Sequence, residues 1–103
     1  MDIIRSKNFT GKKAWDALDI ATIEGASIRL HWTDQPYIWH INDGSEVFVV
    51  LDGCVKMYYK ENQSVKNITL YEGDIFYATI GTEHVADPQG IARILVIEKA
   101  GSI

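Results

Sequence analysis

Short apolar runs broken by turn residues recur along the whole chain. Glu24-Gly25, Asp43-Gly44, Asp52-Gly53, Glu61-Asn62-Gln63-Ser64, Glu72-Gly73, Ile80-Gly81 and Gln89-Gly90 separate segments rich in Val, Ile, Tyr, Phe and Trp. Short strands with a turn about every 8–12 residues are the pattern of an all-β sandwich or barrel. The spacing predicts strands over 20–23, 27–33, 37–41, 46–51, 55–59, 66–70, 75–78 and 92–98. No window of helical length carries apolar residues at i, i+3, i+4 and i+7, and the best helical candidate, 14–18, is worth one turn at most. The gaps between strands are too short for crossover helices, which excludes a parallel α/β sheet.

Several of these strands are apolar on both faces. Alternation sets Tyr37, Trp39 and Ile41 against Ile38 and His40, Val47, Val49 and Leu51 against Phe48 and Val50, and Ile94 and Val96 against Leu95 and Ile97. A barrel wall in water needs only one apolar face. The surplus predicts a covered outer face, most simply by a second copy of the chain in a homodimer. Cover by the N-terminal segment, which carries Phe9, Trp15 and Leu18, is the alternative.

Length and charge narrow the picture further. The chain has 103 residues, the size of one domain, read as an N-terminal arm over 1–19 and a barrel over about 20–98. Apolar residues make up 47% of it, enough for a core without disulfide staples. Ten basic residues against fourteen acidic ones, scattered and summing to a net charge of -4, leave no footprint for nucleic acid. The lone Cys54 excludes a disulfide framework and a multi-cysteine zinc site. The first residues lack the apolar stretch of a signal peptide, and the longest apolar run, 47–51, is far short of a membrane span. The expectation is a soluble cytoplasmic protein with no membrane partner.

Three residues stand out as candidate metal ligands. His40 and Asn42 share a parity, so they point to one side of one strand. The turn at Asp43-Gly44-Ser45 then delivers Glu46, whose parity with Phe48 and Val50 places it on the inner face. A carboxylate buried there unpaired costs several kcal/mol, so a cation or a proton is expected beside it. His84 follows Gly81-Thr82-Glu83, a tight approach to the start of another short strand. Two imidazoles and a carboxylate facing one cavity leave coordination positions open for water, oxygen or a substrate. Asn42 is a candidate fourth, weaker ligand or a partner for metal-bound water, and equally a turn residue before Asp43-Gly44.

The stretch Trp39-His40-Ile41-Asn42-Asp43-Gly44-Ser45-Glu46, with Gly53 after six further residues, resembles the first motif of the cupins: His-x-His, three or four residues, Glu, six residues, Gly. The stretch from Gly73 to His84 resembles the second: Gly, five residues, Pro-x-Gly, two residues, His. The pattern covers about residues 26 to 98 and is similar to small single-domain cupins labelled mannose-6-phosphate-isomerase-like. Asn42 stands in the second histidine's place, Thr79 in the proline's, Pro88 in that of an asparagine, and Asp34 where a glycine often precedes the first motif. The resemblance implies a double-stranded β-helix, or small jelly roll, commonly dimeric. It also implies one divalent transition metal (Fe, Mn, Ni or Zn) inside the barrel on His40, Glu46 and His84.

Three functions follow as expectations. One is a small-molecule metalloenzyme of oxygenase, isomerase or lyase type, the second a non-catalytic module that binds or senses a metal or small ligand, and the third a structural dimer with a vestigial site. The scaffold alone does not choose among them. Among the remaining residues, His31 shares a face with Arg29 and reads as part of a solvated face, with the cavity mouth as the alternative. Cys54 reads as a small strand residue, and Tyr58, Tyr59, Tyr71 and Tyr77 as strand formers, one of which is able to donate a proton or hydrogen bond.

Overall fold

The computed structural model describes residues 1–102. Nine strands form: β1 (Asp16–Ile23), β2 (Ala26–Thr33), β3 (His40–Ile41), β4 (Glu46–Asp52), β5 (Val55–Glu61), β6 (Ser64–Leu70), β7 (Ile75–Ala78), β8 (Glu83–Pro88) and β9 (Ala92–Lys99). Among the described residues there is no α-helix, only a single 3-10 turn at Ser6–Asn8. Two-residue turns close two of the hairpins. Glu24 and Gly25 between β1 and β2, and Asn62 and Gln63 between β5 and β6, all have positive φ, the type I′ geometry that matches strand twist.

The strands divide into a five-stranded sheet, β1-β2-β9-β4-β7, and a four-stranded sheet, β3-β8-β5-β6, antiparallel throughout. From β2 onward the chain crosses between the sheets, with only the β5–β6 hairpin staying in one of them. This is an all-β, double-sheet jelly roll of the cupin-like kind. Inward residues of both sheets make the core: Phe48, Val50, Ala92, Ile94 and Val96 from one, Val55, Met57, Leu70 and Ala86 from the other. Each fully buried larger side chain here contributes about 2 kcal/mol.

Some elements differ from the sequence reading. β1 begins at Asp16 rather than at residue 20, and the 14–18 stretch holds no helical turn; Trp15 takes a φ of 57° and feeds the strand directly. β3 is two residues long, because Pro36 and the segment after it leave the ladder. β8 is the short strand expected to start at His84, though its bounds were not legible; Glu83, Asp87 and Pro88 mask its alternation, and Pro88 sits at its very end.

The N-terminal segment does cover part of the outer face. Arg93 Nε donates to the Phe9 carbonyl at 2.8 Å, Nη2 to Thr10 Oγ1 at 3.3 Å, and Nη1 to Asp52 Oδ2 at 2.6 Å. Gly11 lies so close to the Trp32 ring that a Cβ there would meet Cε3 at 2.8 Å. Leu30 and Trp32 are buried as a result. Farther along the same sheet Ile75 and Tyr77 stay exposed, and Val47, Val49, Leu95 and Ile97 are half-buried.

Candidate metal centre

The crossings between sheets bring three separate elements to one point. β3 and β8 pair with His40 directly opposite His84, and their rings stand 4.3 Å apart by centroid. Glu46 heads β4 in the facing sheet and points inward with Phe48 and Val50, as its parity predicts. His84 is 2% exposed and Glu46 7%, so this pair is sealed from solvent, while His40 is half-buried. His84 Nε2 lies 3.0 Å from Glu46 Oε1.

The donor set fits a divalent transition metal. One ligand atom from each of His40, Glu46 and His84 falls within 4.8 Å of the others. Two cis ligands of an ion with bonds of about 2.1 Å stand about 3 Å apart, which is the His84–Glu46 separation. His40 Nδ1–H donates to the Ile38 carbonyl at 3.0 Å, which turns Nε2 inward as the donor atom. His84 Nδ1 has the Thr82 carbonyl at 3.4 Å for the same purpose. Asn42 is buried near this point, but its amide Nδ2 donates to the Ala78 carbonyl at 3.3 Å. Its backbone also holds the loop, taking a bond from Gly81 N–H and giving one to the Thr82 carbonyl.

The triad opens on a cavity of about 160 Å³. Its walls carry Trp15, Tyr37, Phe48, Ala86 and Val96, and a set of polar groups from β2 and β9: Arg29, His31 and Glu98. Tyr37 and His40 line it together despite opposite parity, because residue 37 lies outside β3 and is tied to β8 by its N–H to the Ala86 carbonyl. Burial, then the nearby Glu98 and Glu46 charges, hold the Tyr37 phenol above its ordinary value, so it remains a hydrogen-bond donor. Trp15 stacks edge-on to both Tyr37 and His31, and its Nε1–H donates to the Gln35 carbonyl at 2.9 Å.

His31 is therefore a cavity residue and not part of a solvated face. Burial, then Arg29, pushes its imidazole below the ordinary value, and its Nδ1 is buried with no partner among the described residues. Sequence reasoning missed Arg29 and Glu98 as well. The signal was present: Glu98 ends the inward run of Ile94 and Val96 on β9 as Glu46 heads that of Phe48 and Val50 on β4.

Glu98 is held protonated to about 7, first by burial and then by Glu46, whose strand pairs with β9 at this residue. An acid whose folded value lies above its unfolded one favours folding below the unfolded value. That advantage is lost as pH rises from about 4.5 toward 7. Metal-free Glu98→Gln is expected to melt with wild type near pH 4.5 and above it at pH 8. Half-exposure screens the effect to about 1 kcal/mol, or about 5 °C. A melting difference that is the same at both pH values would refute the assignment.

No protein-family model and no curated protein matches the sequence. Solved structures do. The chain is similar to a cupin-2 domain containing protein from Shewanella frigidimarina, at 26% identity over 90% of this chain and 86% of that one, with a TM-score of 0.77. It is similar in fold to a cupin superfamily protein from Desulfitobacterium hafniense, at 13% identity, 91% and 85% coverage and a TM-score of 0.77. It also matches the fold of one part of a hydroquinone 1,2-dioxygenase in complex with Fe3+, at 16% identity and a TM-score of 0.76, covering 87% of this chain and 29% of that one. With its two crossed sheets and the His40, Glu46 and His84 cluster between them, the chain has the cupin-superfamily fold in a small single-domain form, consistent with cupin-type-2-like proteins.

Proposed function

We propose that the protein binds one divalent transition metal on His40, Glu46 and His84 and acts on a small molecule held beside it in the cavity. The observation that carries this reading is the triad itself: three donors from three elements, within 4.8 Å of one another and open on one side to a cavity. Two imidazoles and a carboxylate favour iron among the candidates, with Mn, Ni and Zn behind it. The Fe3+ of the structurally similar hydroquinone 1,2-dioxygenase makes iron the first to test. Asn42 holds the loop through Nδ2 on the Ala78 carbonyl, which leaves its Oδ1 as the weaker fourth ligand or a partner for metal-bound water in this reading.

A metal bound there would polarise an oxygen of the ligand or bind a further small molecule. The protein's own contributions are separate. Trp15, Phe48 and Val96 exclude water, Tyr37 supplies a phenolic donor, and Glu98, with a value near neutrality, holds or releases a proton at the cavity wall. Glu98 favours an enzyme over a storage or sensing module, because a passive metal binder has no use for a titrating acid facing its ligand.

Elemental analysis of the untagged protein, grown without added metal and after reconstitution, tests the metal. One transition metal per chain in wild type and none in His84→Ala is the expected result. No metal in wild type after exposure to Fe(II), Mn, Ni and Zn would sink the reading.

A further inference from the structure

We propose that Arg29 is the anion-recognition residue of the cavity, so that the molecule taken there is a small carboxylate lying between Arg29 and the His40/Glu46/His84 face. The second half of this statement rests on the metal reading above; the first does not.

The register of β2 against β9 sets Ser27 opposite Glu98, Arg29 opposite Val96 and His31 opposite Ile94. Val96 and Ile94 face the core, so Arg29 lines the cavity from the sheet that also carries Glu46, with His40 and His84 in the other sheet. It is the one Lys or Arg lining the cavity. Its Nε is fixed by Asp19 Oδ1 at 2.7 Å, at a well-exposed carboxylate outside the cavity. Neither Nη group has a hydrogen-bond partner among the described residues. A guanidinium held by its Nε keeps the end-on pair of Nη donors for a second oxyanion, which is the fork that a carboxylate accepts in bidentate fashion.

Burial disfavours the charged form of His31, so Arg29 supplies the positive charge of the cavity's own wall.

Volume bounds the size. A cavity of about 160 Å³ is well below the span of ordinary drug-sized pockets and suits a small molecule. The short apolar walls of Phe48, Ala86 and Val96 suit a one- or two-carbon body between the carboxylate and a hydroxyl or keto oxygen on the metal side. The ligand class is thus a short hydroxy or keto acid.

Lactate and its neutral isostere lactamide test this by calorimetric titration into wild type, Arg29→Gln and Arg29→Lys, each with its metal content measured beside it. Charge-assisted pairing predicts that lactate binds wild type at least about tenfold more tightly than lactamide. Arg29→Gln is expected to remove that preference without changing lactamide binding or metal content, and Arg29→Lys to keep part of it. Equal binding of the two probes, a preference that survives Arg29→Gln, or no binding of lactate at about 10 mM would overturn the proposal. Should wild type load no metal, the metal reading falls on that measurement alone. The lactate preference of the metal-free protein then decides the role of Arg29 by itself.

Discussion

Metal-free His84→Ala is expected to melt about 15 °C below wild type, and added metal to leave it there. His84 and Glu46 form a buried pair at 3.0 Å, with almost no solvent reaching either. Removing the imidazole leaves the carboxylate buried without a partner and opens a hole the size of a ring beneath Phe76, whose centroid stands 5.7 Å away. Breaking a buried pair on one side costs about 3 kcal/mol, and a domain of this size loses about 5 °C per kcal/mol. Glu46→Gln removes the charge but keeps a side-chain oxygen for His84 Nε2–H, so its cost is expected to stay below about 1 kcal/mol. The double variant is expected to be more stable than His84→Ala alone, because no charge is then stranded. Wild type at a metal concentration about one hundred times its dissociation constant gains about 2.7 kcal/mol, and neither single variant does. Thermal melts of the four proteins with and without metal read every term. If Glu46→Gln proved as damaging as His84→Ala, the buried-charge account would fail and a simple packing role would replace it.

That pair was readable from residue order because two independent constraints agree on it. Alternation fixes the face of Glu46 through Phe48 and Val50, and motif spacing fixes His84 although its own strand, β8, carries no clean alternation. Arg29 and His31 were misread for the opposite reason. Their face was assigned correctly as shared, yet the clean alternation of Ile28, Leu30 and Trp32 against Arg29 and His31 does not say that the apolar side faces the barrel interior. Leu30 and Trp32 look like core by composition and are buried, but under the N-terminal segment on the outside of the sheet. The inner face of β2 was therefore the polar one. Only the pairing of Arg29 with Val96 and His31 with Ile94 reveals that, and such long-range register is not written in either segment alone.

The same limit explains Tyr37. Parity along 37–41 assumed a continuous strand, and a two-residue β3 breaks that rule at Trp39. Turns, by contrast, were legible residue by residue. Glu24-Gly25 and Asn62-Gln63 adopt the positive-φ geometry their positions between alternating strands call for, since that chemistry is local.

Gly53→Ala is expected to cost about 3 kcal/mol and to lower the melting temperature by about 15 °C. Gly53 turns the chain from β4 to β5 with a φ of +81°. A Cβ there would stand 2.4 Å from the Ile91 carbonyl oxygen and 3.2 Å from the Ala92 Cα. Both obstacles are backbone, and Ala92 is fully buried, so no rotamer change relieves them. The neighbouring Asp52 is also held by Arg93 at 2.6 Å, which resists any retreat of the turn. Gly90 supplies the control. Its φ is +92°, yet nothing lies within 4 Å of its would-be Cβ. Gly90→Ala therefore carries only the left-handed penalty of about 1 kcal/mol, or about 5 °C. The difference between the two variants isolates the backbone contact, and equal melting temperatures would show that backbone conformation alone explains Gly53. Its place after six intervening residues from Glu46 then acquires a physical meaning. β4 must run from the triad to the point where the β8–β9 turn crosses it, and only a residue without a side chain lets the two turns pass.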